Sequence, residues 1–283
     1  MNRIVKIGIL KAGCLGSLPL LEFLLDERAE REDIQVKVVG SGSKVTPEEC
    51  IEGAKQIINA DIDLIVFVGP AQTTSGPTEA RKVLRESGKP VIVISDTPAK
   101  RVIKELEETG FGYIIVEADS MIGARREFLD PTEMALYNSD VIRVLAITGA
   151  LNIIVSEIDK VINSIKTGGK IVLPKVIIDS RRAVEAAGFL NPYAKAKAIA
   201  AYEIAKQVSA LTVEACFKIH EPETYIPLVT AAHEIMRVAA KLADEAREIE
   251  KMNDSVLRKP HFKDGLLGEK RLLMEKPQKI TPF

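Results

Sequence analysis

The sequence predicts an α/β fold, in which a doubly wound, mostly parallel sheet carries an attached helical bundle region. In residues 1–130, short runs rich in Val and Ile alternate with helical patterns, and near-continuous apolar runs are typical of strands buried on both faces of a parallel sheet. In residues 131–256, apolar residues recur mostly with helical spacing. We therefore predict an α/β domain (1–130), a mainly helical region with one or two short strands (131–256) and a C-terminal tail (257–283) that lies on the surface or clasps a neighbouring subunit.

The α/β domain is predicted to alternate strictly between strand and helix, which makes it Rossmann-like. The predicted strands are 4–10, 35–40, 64–69, 90–95 and 112–116. The predicted helices are 18–26, 47–59, 77–86 and 99–108. Thr46 and Pro47 illustrate the start signals, because threonine is a good N-cap and proline fits the first helical position.

The second part is predicted to contain four helices and two short strands. The predicted helices are 131–148, 153–166, 192–207 and 226–254. The second of them is expected to end at Gly168, because glycine adopts the left-handed conformation that terminates many helices. Short apolar runs at 175–178 and 213–219 predict the strands.

Composition excludes several classes of function. The chain has 283 residues, 46% hydrophobic and 28% charged, with a net charge of −1, whereas a general nucleic-acid binder needs a basic surface. No apolar run reaches the ~20 residues needed to span a bilayer, and the first residues lack the features of a signal peptide. We expect a cytoplasmic protein. Its cysteines and histidines are too scattered to predict a disulfide framework or a metal site: Cys14, Cys50, Cys216, His220, His233 and His261.

Ligand-binding features follow the predicted strands at their carboxyl ends, where open α/β sheets usually bind their ligands. In the first loop (11–16), Gly13 and Gly16 form a Gly-x-x-Gly turn whose backbone amides can approach a ligand. This is not the full dinucleotide fingerprint, so it does not predict NAD. A plain tight turn is the alternative, and Cys14 is expected to pack rather than act as a nucleophile.

The next two loops favour polar contacts. The second loop (40–44) carries Ser41 and Lys44 where a dinucleotide site would place an acidic residue, which favours an anion such as phosphate. A flexible loop with a solvated lysine is the alternative. The third loop (69–77) is long, uncharged and rich in hydroxyl groups such as that of Thr73, and it is bracketed by Gly-Pro pairs, the first being Gly69-Pro70. It can hydrogen-bond a polar heterocycle.

Acidic and basic residues follow the last two strands of the domain. In the fourth loop (95–98), Asp96 either caps the next helix or accepts hydrogen bonds from a ligand. Arg125 and Arg126 lie beyond the fifth strand, and the planar fork of arginine suits phosphate, carboxylate or a flat polar ring. Arg126 can instead pair with Asp130 four residues later, so we expect one arginine to face a ligand.

Four segments carry a resemblance to a known family. They are the block ADSMIGARREFLDP at 118–131, LLDERA at 24–29, NPYA at 191–194 and ADEAR at 243–247. Through them the chain resembles the coenzyme F420-dependent methylenetetrahydromethanopterin dehydrogenases of methanogenic and related archaea, over almost its whole length. The resemblance departs at the first loop, where relatives carry Lys-Cys-Gly-Asn and this chain carries Lys11-Ala12-Gly13-Cys14. Cys14 cannot reproduce a contact made by an asparagine amide.

The resemblance implies an oxidoreductase of one-carbon metabolism and methanogenesis. Hydride passes reversibly from methylene-tetrahydromethanopterin to oxidised F420, giving the methenyl form and reduced F420. The resemblance also implies a homo-oligomer, with hexamers built from smaller units, and no tightly bound prosthetic group. A non-catalytic pterin- or nucleotide-binding protein of the same fold is the alternative. An NAD(P)-dependent dehydrogenase is disfavoured by the absent fingerprint.

The predicted site combines these loops with the resemblance. Hydride transfer between two bound organic molecules needs proximity and alignment rather than a protein nucleophile or a metal. We therefore predict no catalytic acid or base and no metal ligand. The predicted cofactor-binding residues are Lys11, Gly13, Cys14, Gly16, Ser41, Lys44, Gly69, Pro70, Thr73, Asp96 and Arg125.

Overall fold

Six parallel strands form the central sheet of this computed structural model, which describes residues 3–17, 21, 30–42, 44–120 and 131–280. Their spatial order is β2-β1-β3-β4-β5-β6. The strands are β1 (Val5–Lys11), β2 (Ile34–Gly40), β3 (Leu64–Val68), β4 (Val91–Ser95), β5 (Gly112–Val116) and β6 (Lys175–Ile178). Strands β3, β4 and β5 are buried along their whole length, which confirms the prediction of a parallel sheet covered on both faces.

The strand order creates a crevice between β1 and β3. From β1 the chain goes to β2, which lies on one side of β1, and then crosses to β3, which lies on the other side of β1. In open α/β sheets, ligands bind outside the carboxyl ends of the strands at such a reversal. The first and third loops flank this point.

Eight α-helices are described. They are α1 (Pro47–Ile58), α2 (Ser75–Glu86), α3 (Ile103–Glu108), α4 (Pro131–Thr148), α5 (Ala150–Thr167), α6 (Ser180–Ala187), α7 (Pro192–Phe217) and α8 (Pro222–Met252). A 3-10 helix (Thr97–Val102) leads into α3. Gly168 ends α5 with φ of 67°, as predicted. The predicted helix 18–26 falls almost entirely outside the described residues.

The predicted strand 213–219 is wrong, because α7 continues through it to Phe217. Its β-branched residues suggested a strand, but burial along the last part of α7 follows a helical spacing. Val208, Thr212 and Ala215 are all buried, and α7 packs along α8. Tertiary packing here outweighs local β-propensity. The other predicted strand, 175–178, is confirmed as β6, which pairs in parallel with β5.

Two apolar layers cover the sheet. One face packs against α1, α2 and α3, in a cluster that includes Phe67 and Leu84. The opposite face shares a larger cluster with the helical region, in which Ile7 and Val66 of the sheet join Tyr202 of α7 and Met236 of α8. The helices after residue 130 therefore pack directly on the sheet, and this packing fixes where they lie relative to its carboxyl edge.

Within the described residues, no single helix is long and apolar enough to cross a membrane. Helices α4 and α5 meet that criterion only as a pair, and they are bent by 71° where they meet. Both contribute buried residues to the larger apolar cluster.

The tail lies against its own chain. It contains a small antiparallel pair, β7 (Gly268–Glu269) and β8 (Gln278–Lys279). The Glu32 amide donates to the Lys263 carbonyl oxygen at 2.8 Å. Lys166 Nζ donates to the Asp264 carbonyl oxygen at 2.8 Å and to Asp33 at 2.9 Å. These contacts fasten the tail to α5 and to the start of β2.

Candidate functional site

The first and third loops touch each other at the carboxyl edge of the sheet. The Ala12 amide donates to the Val68 carbonyl oxygen at 2.9 Å. A side-chain carbon at Gly69 would lie 2.2 Å from the Ala12 carbonyl oxygen, so the two backbones meet at a distance that only glycine permits. Gly13, with φ of +79°, packs beside the Pro70 ring. The two glycine-containing turns therefore form one continuous wall over the crevice between β1 and β3.

The second loop joins this wall from the outer side. The Ser41 amide donates to the Lys11 carbonyl oxygen at 3.0 Å, and Ser41 is buried. A side-chain carbon at Gly76 would lie 2.0 Å from the Val45 carbonyl oxygen, so the start of α2 also presses on this segment. Lys44 is exposed and its ammonium group lies 3.8 Å from Glu49. An exposed lysine is compatible both with the predicted anion site and with the alternative of a solvated lysine.

Asp119 anchors the first loop from below. Its carboxylate accepts hydrogen bonds from the Gly16 amide at 2.8 Å and the Ser17 amide at 2.9 Å. Asp119 is fully buried, and this burial raises the pKa of its carboxyl group, against the effect of the amide donors. Gly16 also leaves no room for a side chain, because one would lie 2.1 Å from Val141 of α4. The first loop is thus fixed both to the end of β5 and to the helical region.

Arg81 of α2 braces the third loop. Its Nη1 donates to the carbonyl oxygen of Gln72 at 2.7 Å and to the side-chain Oε1 of Gln72 at 2.8 Å. Its Nη2 donates to Glu105 of α3 at 2.9 Å. Gln72 is itself fully buried and donates to the Gly69 carbonyl oxygen at 3.0 Å. Ala71, between them, has φ of 55°, so this network holds a backbone conformation that alanine rarely adopts.

Asp96 lies under the third loop. Its side chain makes no capping hydrogen bond to the following 3-10 helix, so the capping alternative is wrong. Asp96 is 1% exposed, and the nearby backbone amides of Asp96 and Ala71 act to lower the pKa of its carboxyl group. Burial and the nearby charge of Asp119 raise the pKa of Asp96 to about 7. Asp96 thus forms the floor of the site, and its carboxyl group gains or loses a proton near neutral pH.

A second cleft opens beside this floor, between the 3-10 helix and α7. Glu117, directly after β5, is 6% exposed. It accepts a hydrogen bond from Lys100, and the Lys206 ammonium group forms an ion pair with it, 3.0 Å from Glu117 Oε2. Burial acts to raise the pKa of Glu117, but the two lysines hold it below its usual value. Both lysines line a cleft of about 440 Å³. Neither lysine was predicted, because no local pattern links them to Glu117.

The structure places the predicted residues unevenly. It brings Gly13, Gly69, Pro70 and Asp96 together around the crevice. Gly16 lies below the crevice, where its amide donates to Asp119. Lys11 is half-buried at the end of β1, whereas Cys14 and Thr73 are exposed. The expectation that Cys14 packs is therefore wrong, because the turn points this residue to the surface. Arg125, and with it the predicted pairing of Arg126 and Asp130, lies outside the described residues.

Buried polar groups continue from the floor into the helical region. The Ser120 hydroxyl is hydrogen-bonded to Tyr137 of α4. The Tyr137 ring stacks on His233 of α8 with 4.1 Å between ring centroids, and His233 Nδ1 lies 3.0 Å from Glu133. His233 is 2% exposed and is therefore part of the core. Among the described residues, no three His, Cys, Asp or Glu side chains are placed to bind a metal ion.

Comparisons with known proteins point to one family over nearly the whole chain. Residues 5–278 match the family model of methylene-5,6,7,8-tetrahydromethanopterin dehydrogenase. The F420-dependent methylenetetrahydromethanopterin dehydrogenase of Archaeoglobus fulgidus is 56% identical over 275 residues, 97% of this chain and 100% of the relative. That of Methanocaldococcus jannaschii is 53% identical over 276 residues, with the same coverage.

A solved structure has the same architecture. It is an F420-dependent methylene-tetrahydromethanopterin dehydrogenase in complex with methylene-tetrahydromethanopterin and coenzyme F420. It is 45% identical to this chain, covers 97% of it and 100% of its own length, and superposes with a TM-score of 0.93.

Proposed function

This chain belongs to the F420-dependent methylenetetrahydromethanopterin dehydrogenase family, and we propose that it catalyses the hydride transfer for which that family is named. Methylene-tetrahydromethanopterin gives a hydride to oxidised F420 and becomes the methenyl cation. The deazaflavin takes up the hydride and one proton and becomes reduced F420. The observation that carries the proposal is the full-length match to a dehydrogenase solved with both molecules bound.

We propose that the wall of the first and third loops, together with the second loop, forms the cofactor-binding surface. A rigid wall suits this reaction, because hydride transfer depends on holding donor and acceptor carbons about 3–3.5 Å apart. The close approach of Gly69 to Ala12 and the Arg81 brace support such rigidity. The residues proposed to contact the cofactors remain Lys11, Gly13, Cys14, Gly16, Ser41, Lys44, Gly69, Pro70, Thr73, Asp96 and Arg125.

The two substrates are proposed to bind reversibly, with no metal and no tightly held prosthetic group. Their chemistry explains why the site can lack a nucleophile: the deazaflavin accepts the hydride, and the ring nitrogens of the pterin carrier stabilise the cation that remains. The chain's own contribution is to bind and orient the two rings and to exclude water from between them.

A spectroscopic assay tests the proposal. The purified chain is mixed with oxidised F420 and methylene-tetrahydromethanopterin, and the deazaflavin absorbance is followed. Bleaching that reverses on adding methenyl-tetrahydromethanopterin is the expected result. Binding of both molecules without bleaching at any pH would instead identify a non-catalytic binding protein. Replacing F420 by NADP is the control, and no reduction of NADP is expected.

We also propose that the protein is a homohexamer, as the family resemblance implies, and that it works in the cytoplasm. Light scattering on the purified chain is expected to give six times the mass of the monomer. Fractionation of a source organism is expected to recover the chain with the cytoplasmic enzymes.

A further inference from the structure

Two adjacent residues at the end of β4, Ser95 and Asp96, face each other in the floor of the site. Ser95 is fully buried and Asp96 is 1% exposed. The Ser95 Oγ lies 2.7 Å from the Gly69 carbonyl oxygen and 3.2 Å from Asp96 Oδ1. The hydroxyl thus has an oxygen atom on each side. The positions of the hydrogen atoms decide which of these contacts are hydrogen bonds.

Counting hydrogen atoms places a proton on Asp96. A serine hydroxyl has one hydrogen, and a carbonyl oxygen can only accept. The 2.7 Å separation is typical of an O–H···O hydrogen bond, so the Ser95 hydrogen points to Gly69. The longer contact then joins two oxygens with no hydrogen between them, unless the carboxyl group of Asp96 supplies one.

We propose that Asp96 is a neutral carboxylic acid in the binding-competent protein, and that it acts as a positioning residue for the third loop. It donates to Ser95, which donates to the Gly69 carbonyl group, so a chain of two hydrogen bonds holds the loop from below. This role deepens the proposed function and rests on it, since the third loop is part of the proposed cofactor-binding wall.

The surroundings of Asp96 support this assignment. The third loop contributes the Gln72 side chain, which adds a second hydrogen bond to the Gly69 oxygen. The charged neighbour is Asp119, whose two oxygens accept the Gly16 and Ser17 amides. Backbone donors favour the ionised form of a carboxyl group. Burial raises the pKa of Asp119 as well, but of the two carboxyl groups Asp119 has the two backbone donors, so it keeps the negative charge and the proton resides on Asp96.

Other charged groups near the floor are already compensated. Glu117, which follows β5 two residues before Asp119, is paired with Lys100 and Lys206. Tyr137 contacts Ser120 rather than Asp96. Ionisation of Asp96 would place a second negative charge beside Asp119 and remove the donor to Ser95. The third loop would lose its support from below, and cofactor binding would weaken.

The variant Asp96→Asn separates protonation from shape. Asparagine keeps the size of the side chain and can donate to Ser95 through Nδ2, but it does not titrate. The measurement is the Kd of oxidised F420 for the full chain, by fluorescence titration from pH 5.5 to 9 without the pterin. The ratio of wild-type Kd to variant Kd at each pH cancels any ionisation of F420 itself.

We expect this ratio to be close to one at low pH and to rise toward about tenfold per pH unit above about pH 7. A ratio that stays constant over the whole range would overturn the proposal. A purely structural role for Asp96 would change the Kd without this pH dependence.

A second variant, Ser95→Ala, tests the direction of the hydrogen bond. Without the Ser95 oxygen the neutral carboxyl group loses its acceptor, so the rise in Kd is expected to move to lower pH. A move to higher pH would mean that Ser95 donates to an ionised Asp96, and the proton assignment would be wrong. This test also works if Asp96→Asn does not fold.

Infrared spectroscopy of the ligand-free protein separates this inference from the proposed function. Wild type at pH 6 should show the carbonyl stretch of a protonated carboxylic acid that is missing in Asp96→Asn and lost at pH 8.5. Absence of that band at pH 6 overturns the inference even if the enzyme is active. A band at pH 6 without F420 binding at any pH refutes the positioning role together with the proposed function, while the protonation stands.

Discussion

The Gly16 amide donates a 2.8 Å hydrogen bond to the carboxylate of Asp119, 103 residues later in the chain. Together with the bond from Ser17, it ties the first loop to the end of β5. Gly16 follows β1 and Asp119 follows β5, and these two strands are not neighbours, because β3 and β4 lie between them. One buried carboxylate therefore sets the position of the first loop across the whole width of the proposed site.

Replacing Asp119 by asparagine should release the first loop. The amide side chain presents an N–H group to at least one of the two backbone donors, which leaves a buried donor unpaired. We expect a loss of about 1–3 kcal/mol in the free energy of unfolding, measured by denaturation in guanidinium chloride, and a higher KM for F420. Asp61→Asn is the control, because that side chain is 86% exposed. Equal stability of both variants would contradict the anchoring role.

Gly69→Ala should disrupt the contact between the first and third loops. The added carbon would lie 2.2 Å from the Ala12 carbonyl oxygen, so one loop must move. Overpacking of this kind costs about 1–3 kcal/mol, and we expect F420 binding to weaken more than overall stability suggests. Gly169→Ala is the matched control, since the added carbon there meets no atom closer than 3.4 Å. Tight F420 binding by Gly69→Ala would show that the wall is not part of the site.

The sequence predicted the sheet well because burial on both faces leaves a plain signal. Strands β3, β4 and β5 read as uninterrupted apolar runs, and each was predicted within one residue of its observed ends. The end of α7 was mispredicted because its β-branched residues pack on α8, which no local pattern reveals.

The site was predicted only as far as it follows the strand ends. The glycines of the first and third loops could be predicted from their position after β1 and β3. Arg81 could not, because its pattern is that of an ordinary exposed helix residue, and its role depends on Gln72 folding back over α2. Asp96 was singled out, but its environment depends on Asp119, which is distant in sequence and adjacent in space.

Arg81→Lys should loosen the third loop while keeping the charge. Lysine cannot reproduce the fork that contacts Gln72 twice and Glu105 twice. The loss of hydrogen bonds to a buried charged group predicts about 2–3 kcal/mol of destabilisation, and a KM for F420 that rises more than kcat falls. Arg85→Lys, on the exposed face of the same helix, is the control and should behave as wild type. A change in kcat alone would argue against a role in loop positioning.

The stability of the protein should depend on pH through Asp96. Its pKa is about 7 in the folded chain and about 3.9 in an unfolded one, so the folded state binds the extra proton between these values. The stabilisation of the folded state by this proton is fully present below about pH 4 and is lost as the pH rises to about 7. Asp96→Asn lacks this loss. The free energy of unfolding of the variant, relative to that of wild type, should therefore rise by up to about 1.4 kcal/mol per pH unit in this window. Above the window it should not change further.

Denaturation in guanidinium chloride at fixed protein concentration, from pH 4 to 8.5, measures this difference. Asp264→Asn provides a control of opposite sign. A hydrogen bond from Lys279 lowers the pKa of Asp264, against the effect of burial, so its stabilisation is present above about pH 4 and disappears as the pH falls further. The difference in the free energy of unfolding between Asp264→Asn and wild type should thus be constant between pH 5 and 8.5. Over the same range, the difference between Asp96→Asn and wild type should grow and then level off. Parallel curves for wild type and Asp96→Asn would mean that Asp96 is ionised throughout and that the carboxyl group plays no part in the pH response.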